Sequence, residues 1–405
     1  MIKFLFCNVV IFLRFFLELF TLHKIYLDHN ATTPTLPEVL DVMLPFYKDK
    51  FGNPSSVHSE GRAARVSLDE SREQVAELIG ARPDEIVFTS GGSESNNFAI
   101  LGVALASSSQ RRDIVTCEVE HAAILNPLKQ LESLDFHVDY LPVDNAGRVD
   151  PKKVESVLTE STTLVTIQHA NSEVGTLQNI NEIGNLVQKT GVLFHTDAVQ
   201  SVGKVAVNVN ALPVDLLSIS SHKIYGPKGV GALFVKRGTP ALFSPVCGGG
   251  QEKKRRGGTE NVPSIVGFGK ACQIARDRIN NGKLEELTKL RDLMRKRIDE
   301  VIPNVEYFGC GKNHLPNTLR CGFEGADGEA LMIALDMEGI SVSTGSACSS
   351  GTGMPSKVLS AMRLPLSKIN SSLRFSLGWV NTLEDIDFAV KTLAKAVLLN
   401  RRKSS

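Results

Sequence analysis

The sequence predicts an α/β protein in two units, a larger one built on a mostly parallel sheet and a smaller α+β one. Three observations carry this. The chain has 405 residues, too many for a single compact core. Short apolar runs rich in β-formers alternate with helix-like stretches as far as about residue 235. Past about Cys272 the pattern changes, and Leu284 to Val301 is charged and periodic in the manner of a long amphipathic helix.

The predicted strands are Glu85 to Thr89, Asp113 to Thr116, Thr163 to Ile167, Val192 to Thr196, Leu216 to Ser220 and Gly231 to Val235, with a helix over Ile180 to Lys189. Asn317 to Arg320, Ile340 to Val342 and Leu373 to Ser376 are the strands expected of the smaller unit. The larger unit is placed at residues 25–270, its first ~15 residues expected to pack with the smaller unit, and the smaller unit at 271–405. Residues 1–22 are rich in Phe, Leu, Ile and Val, but Lys3, Asn8, Arg14 and Glu18 leave no run of ~18 uncharged apolar residues for a membrane span. Leu19-Phe20-Thr21-Leu22 is a poor secretory cleavage site. A weak targeting or anchoring segment, an extra helix and an extension foreign to the fold are the readings left, and residues 1–24 are set aside from the fold. The compartment expected is the cytoplasm, or an organelle matrix if that segment is a targeting one.

Composition narrows the class of function. The 45 basic and 44 acidic residues leave a net charge of +1, without the basic excess of a nucleic-acid binder. The seven cysteines are scattered, odd in number and never spaced C-x-x-C, which fits neither a disulfide framework nor a structural zinc site. Six of them read as small buried apolar residues. Cys348 is the exception.

Six segments carry chemistry. In Ser220-Ser221-His222-Lys223-Ile224-Tyr225-Gly226-Pro227 a lysine follows a buried strand. An amine at a strand end facing a cleft can lose its proton and form a Schiff base. Ser220 and His222 beside it offer phosphate donors, whereas Lys204 and Lys228 read as ordinary solvated lysines. Thr196-Asp197-Ala198-Val199-Gln200 also follows a strand, where ligands of parallel sheets bind. Asp197 there suits a pyridine nitrogen, or else a helix N-cap. Ser90-Gly91-Gly92-Ser93 offers a glycine turn and a helix start to a phosphate, although most such turns bind nothing. His121, just past a strand, is placed to stack on a ring or move a proton, or is structural. Ser343 to Gly353 is a small, polar run that cannot bury the thiol of Cys348 well, and an exposed thiol with cationic neighbours is a nucleophile. Arg374, inside an apolar strand, suits a substrate carboxylate or a structural ion pair.

In that order, together with Tyr26-Leu27-Asp28-His29-Asn30-Ala31-Thr32-Thr33-Pro34, Phe51-Gly52-Asn53-Pro54-Ser55-Ser56 and Gly257-Gly258-Thr259-Glu260-Asn261-Val262, these segments resemble the NifS/IscS family of cysteine desulfurases, in the aminotransferase class V group. The long cysteine loop resembles the group I branch. The resemblance implies a fold-type I homodimer that holds pyridoxal 5'-phosphate on Lys223. It implies that Asp197 pairs with the ring nitrogen, Gln200 with the phenolic oxygen, and that His121 stacks on the ring. Gly92, Ser93, Ser220 and His222 would bind the phosphate, with Thr259 joining from the partner subunit. Arg374 would take the carboxylate of L-cysteine and Cys348 its sulfur, for delivery to a sulfur-acceptor protein or iron–sulfur scaffold. Two positions depart from the family pattern: Asn171-Ser172-Glu173 stands for Asn-Asn-Glu, leaving Asn171 or Ser172 to replace a cofactor-contacting asparagine, and Ser93 stands for threonine. The chain also runs only to Arg401-Arg402-Lys403 and two serines after Leu399, shorter than the tail with which IscS-type members dock a scaffold. A selenocysteine lyase shares the fold and nearly every motif. A non-catalytic scaffold is disfavoured because Lys223, Asp197 and Cys348 are all present.

Overall fold

The computed structural model describes residues 24–108, 110–309, 311, 313–345 and 355–404. Cys348 lies outside the described residues, as do residues 1–23, Cys310 and most of the cysteine-bearing run.

Twelve strands are formed among the described residues: β1 (Ile25–Tyr26), β2 (Ile86–Thr89), β3 (Asp113–Cys117), β4 (His137–Leu141), β5 (Thr162–Thr166), β6 (Leu193–Asp197), β7 (Leu216–Ser220), β8 (Gly231–Val235), β9 (Val305–Phe308), β10 (Thr318–Phe323), β11 (Ile340–Ser341) and β12 (Ser372–Ser376). Seven make the main sheet in the order β2-β8-β7-β6-β5-β3-β4, parallel except for β8, which runs against both neighbours. Their runs are apolar because helices cover both faces of such a sheet. Every residue of β2, β5 and β7 is buried.

The helices that frame the site are α1 (Pro37–Lys48), α2 (Ser59–Ile79), α3 (Gly92–Ala106), α4 (Ala122–Glu132), α5 (Val262–Asn280) and α6 (Lys283–Val301). Gly80 ends α2 in the left-handed conformation (φ 70°), a backbone state that glycine adopts without a Cβ penalty. The smaller unit holds the antiparallel sheet β12-β10-β9, and β1 pairs in parallel with β11. It has its own core, with Leu319, Phe323, Leu335, Phe375 and Leu393 among its buried members. The core changes over between Ala275 on α5, which belongs to the larger cluster, and Leu287 on α6, which belongs to the smaller.

The N-terminal segment expected to pack with the smaller unit divides between the two. Ile25 and Leu27 lie in the smaller core, whereas Val39 and Met43 of α1 lie in the larger. The chain between them therefore bridges the units, and it does so across the carboxyl edge of the main sheet. His29 N–H donates to the Ser376 carbonyl (3.0 Å) on one side, and Thr33 N–H to the His222 carbonyl (3.0 Å) on the other.

The start of β8 is packed backbone to backbone. A Cβ on Gly231 would lie 2.6 Å from the Ile219 carbonyl oxygen and 2.8 Å from Gly91, neither of which can give way. Gly231→Ala should therefore cost about 2 kcal/mol or more of stability, as overpacked cores do. Denaturant unfolding measures it, and a loss below about 0.5 kcal/mol, the scatter of neutral surface changes, would show that this contact is not close-packed in solution.

Candidate functional site

Parallel strands deliver their following loops to one edge, and here four strands do so together. β3 leads to Glu120 and His121, β5 to Gln168 and Ala170, β6 ends on Asp197, and β7 ends on Ser220 ahead of His222 and Lys223. Because side chains alternate along a strand, His195 and Asp197 share one face of β6, as Ser218 and Ser220 do on β7. All but Glu120 and the two residues deeper in the sheet line a single cavity of about 270 Å³, closed by Asn30, Ala31 and Arg374.

Lys223 and Asp197 thus face one pocket. Lys223 Nζ donates to the carbonyls of Asn30 (2.6 Å) and Ala31 (2.7 Å). Asp197 is fixed at both oxygens: Oδ2 accepts from Asn96 Nδ2 (2.7 Å) and Oδ1 from the Val199 N–H (2.9 Å). His121 caps α4, its Nδ1 accepting from the Ala123 N–H (3.1 Å), so a proton carried by its ring sits on Nε2.

The anion cradle is built from β7 and the start of α3. The first N–H groups of a helix have no partner within it, and in α3 Ser95 is the first to bond back, to the Gly91 carbonyl (3.0 Å). Ser220 Oγ is buried without a partner and lines the same cavity. Gly92 must be glycine for the cradle to close, since a Cβ there would lie 2.7 Å from Val199 Cγ2. His222 shares a hydrogen bond between Nδ1 and Thr32 Oγ1 (3.0 Å). Burial first, then the nearby lysines 223, 228 and 204, pull its pKa down to about 4, so at neutral pH it is an uncharged imidazole. A phosphate-sized dianion suits this set of donors.

Arg374 is 2% exposed on β12. Nη2 pairs with Asp28 (2.6 Å) and Nη1 donates to the Ser172 carbonyl (3.2 Å), while Nε is buried without a partner. Of the two sequence readings of Arg374, the ion pair is present, and the side chain also lines the pocket where a substrate carboxylate was expected. Its backbone bonds reciprocally with Ser343 (2.7 and 3.2 Å), which brings the start of the cysteine-bearing run beside the site. The far end of that run returns at Ser356, whose Oγ donates to the buried Glu173 (2.6 Å), and a Cβ on Gly345 would lie 3.4 Å from the same carboxylate.

Several sequence expectations change. Of the Asn171–Ser172 pair, Ser172 lines the pocket; Asn171 is spent on a turn, its Oδ1 accepting from the N–H groups of Glu173 (2.9 Å) and Val174 (3.0 Å). Thr259 is exposed and does not line the cavity within one chain. Lys204, expected to be solvated, is 5% exposed and donates to Asn30 Oδ1 and Gln200 Oε1, both at 2.8 Å. The physical reason is that two side-chain carbonyl oxygens, one from distant Asn30 and one from Gln200 four residues earlier, replace its water. Lys228 is exposed as expected. Cys117, Cys272 and Cys321 are buried, but Cys247 is exposed, lying in a loop outside any core. Asn30, Asn96 and Gln168 line the pocket and had no role assigned from sequence. Asn96 was visible only as the helical position one turn into α3, and Asn30 only as part of a motif.

A lysine and an aspartate facing each other at the carboxyl edge of a largely parallel sheet, with a smaller unit closing the cleft, is the fold type I arrangement of pyridoxal-phosphate-dependent enzymes. The sequence matches the aminotransferase class-V family over residues 25–388. It is 47% identical to a cysteine desulfurase IscS of Dictyoglomus turgidum, over 92% of this chain and 94% of that protein. It is 42% identical to the IscS of Methanosarcina thermophila, over 94% and 93%. Among solved structures, a NifS-like protein superposes with a TM-score of 0.87 at 35% identity, covering 93% of this chain and all of that one. SspA in complex with cysteine superposes with a TM-score of 0.78 at 37% identity, covering 87% and 98%. The chain belongs to the aminotransferase class-V family, in its NifS/IscS cysteine desulfurase branch.

Glu120 lies behind the pocket wall, accepting from the Gln168 N–H (2.6 Å). Burial, and then the charge of Asp197, raise its pKa to about 8. A carboxyl raised in the folded state contributes its full proton-linked stability below the ordinary carboxylate range and loses it as the pH climbs toward 8. Glu120→Gln, which cannot ionise, should gain stability relative to wild type between pH 5 and pH 8. Unfolding curves at the two pH values check this, and an unchanged difference would mean that Glu120 does not titrate in that window.

Proposed function

We propose that the protein converts L-cysteine to L-alanine and retains the sulfur as a persulfide on Cys348, using pyridoxal 5'-phosphate. The observation that carries this reading is the shared pocket of Lys223 and Asp197, with an anion cradle at one end and a buried arginine at the other. Lys223 would hold the cofactor covalently, Asp197 its ring nitrogen, Gln200 its phenolic oxygen and His121 its ring face. Gly92, Ser93, Ser220 and His222 would hold the phosphate, with Thr259 supplied by the second subunit of a homodimer. A dimer is supported by Leu40, Leu44 and Tyr47, exposed on one face of α1 at helical spacing, and by Phe51 just beyond.

When bound, the cofactor withdraws electrons from the α-carbon of an amino acid attached to it. The protein's residues do the rest. Arg374 orients the substrate by its carboxylate, a planar match for a guanidinium. Lys223 Nζ, which the Asn30 and Ala31 carbonyls hold in the ligand-free pocket, would take the α-proton. Asp197, pinned by Asn96 and Val199, would face the ring nitrogen with a fixed carboxylate and so favour a proton there. Cys348, as thiolate, attacks the substrate sulfur: the S–S bond forms, the carbon–sulfur bond breaks, and its electron pair stays on carbon. A proton from His121 Nε2 would quench that carbon, and Lys223 would return its proton to the α-carbon, giving alanine. The persulfide then passes to an acceptor protein for iron–sulfur assembly or thiolation.

Incubation with cysteine and a reductant should give sulfide and alanine in equal amounts. Lys223→Ala should lose the visible band of lysine-bound cofactor. Cys348→Ala should keep that band and lose sulfide release by a factor of ~100 or more, as removal of a nucleophile does. A wild type that takes up no pyridoxal phosphate would falsify the cofactor assignment, and a Cys348→Ala enzyme with intact turnover would remove Cys348 as acceptor.

A further inference from the structure

Lys204 is among the most deeply buried charged side chains of the described residues, and among them no carboxylate is paired with it. Its ammonium touches two carbonyl oxygens, Asn30 Oδ1 and Gln200 Oε1, each at 2.8 Å. The titratable or charged groups around it are Lys223, Arg374, His29 and His222. Burial, and then the charges of Lys223 and Arg374, hold its pKa well below the usual lysine value. Keeping such a group is costly unless it does something a neutral residue cannot.

What it does is legible in the amides. An ammonium has only protons to offer, so Gln200 must turn its oxygen toward Lys204 and its nitrogen away. Gln200 Nε2 then donates one proton to the Asn30 carbonyl (3.0 Å), and its second proton faces the pocket that Gln200 lines. The same logic fixes Asn30. Its Oδ1 accepts from Lys204 and from Asn317 Nδ2 (3.0 Å), and its Nδ2 donates to the Ser172 carbonyl (3.0 Å) and Thr318 Oγ1 (2.8 Å). The backbone carbonyl of this immobilised residue is the one that accepts from Lys223 Nζ at 2.6 Å.

We propose that Lys204 is a positioning residue that, by holding the side-chain oxygens of Gln200 and Asn30, commits Gln200 to donate an N–H toward the cofactor and sets the carbonyl that holds the Lys223 amine. The proposal rests on the cofactor assignment above. Without Lys204 the Gln200 amide is free to flip and to present an oxygen where an anionic oxygen must sit, which both weakens binding and disfavours that anion.

The test uses the full-length protein, stripped of cofactor and titrated with pyridoxal 5'-phosphate, followed by the visible band. Lys204→Met should bind roughly tenfold more weakly, the scale of one charge-assisted hydrogen bond. Losing the anion donor favours the protonated form of the lysine–cofactor linkage. The pH midpoint of the Lys204→Met band should therefore move upward by about half a unit or more. Lys204→Gln, which restores a donor without charge, should recover part of the affinity. In a Gln200→Ala background Lys204→Met should have a smaller effect on affinity, because the amide it positions is gone. Wild-type affinity and an unmoved midpoint in a folded Lys204→Met protein would overturn the proposal, as would a full additive loss in the double variant. Failure of the wild type itself to bind pyridoxal phosphate would instead overturn the cofactor assignment.

Discussion

The amine of Lys223 is held by two backbone carbonyls that come from the turn just after β1. Asn30 and Ala31 reach it at 2.6 and 2.7 Å, and everything else in the site is arranged around keeping those two oxygens in place. A main-chain carbonyl cannot be repositioned by a side-chain rotamer, so the segment itself must be anchored. It is anchored at both ends, by Ser376 of the smaller unit and by His222 and Tyr225 of the larger. The pocket therefore requires the two units to be docked. A lysine that serves as base needs its protons drawn away from bulk water and toward fixed acceptors, and a crossing strand of backbone does that without introducing a carboxylate that would hold the amine charged.

Arg374 makes the same junction from the other side. Its strand, β12, joins the small sheet to the crossing segment, since the Ser376 carbonyl accepts from the His29 N–H and Asp28 pairs with the guanidinium. Substrate carboxylate binding at this arginine would thus be felt by Asp28, by Ser172 and, through the Ser343 bridge, by the start of the cysteine-bearing run. Arg320, fully buried one strand away, donates to the Thr344 carbonyl (2.7 Å) and to Ser372 Oγ (2.7 Å), so the run departs from a base held by two arginines.

What the sequence showed and what it hid follow from how local each cause is. Most strands of the main sheet are short apolar runs, and β2, β7 and β8 were placed to within a residue or two. β4, His-Val-Asp-Tyr-Leu, lies on the sheet edge with an exposed first residue, and its polar content masked it. β9, Val-Glu-Tyr-Phe, is likewise a partly exposed edge. Lys223, Asp197 and the glycine turn were legible because each sits at the end of an element that the sequence announces. Lys204 was not, because its environment is made by Asn30, which is remote in sequence, and by Gln200 one helical turn away, and neither declares which way its amide will face.

The charges around the cleft point to the ligand they await. Lys223, Lys204 and Arg374 bring three cationic groups to one small volume, and Asp197 and Asp28 bring two carboxylates, each already bound to a partner on the protein. Like charges packed this closely repel, and burial strips them of water that would screen the repulsion. An apolar ligand would leave that repulsion standing, and a cationic one would add to it. A ligand bearing a dianionic group at the α3 end and a carboxylate at the Arg374 end relieves it at both places. The proposed preference for a phosphorylated ring joined to an amino acid would thus follow from charge that the folded protein holds in excess, with the neutral His222 and the partnerless Ser220 hydroxyl supplying direction rather than charge.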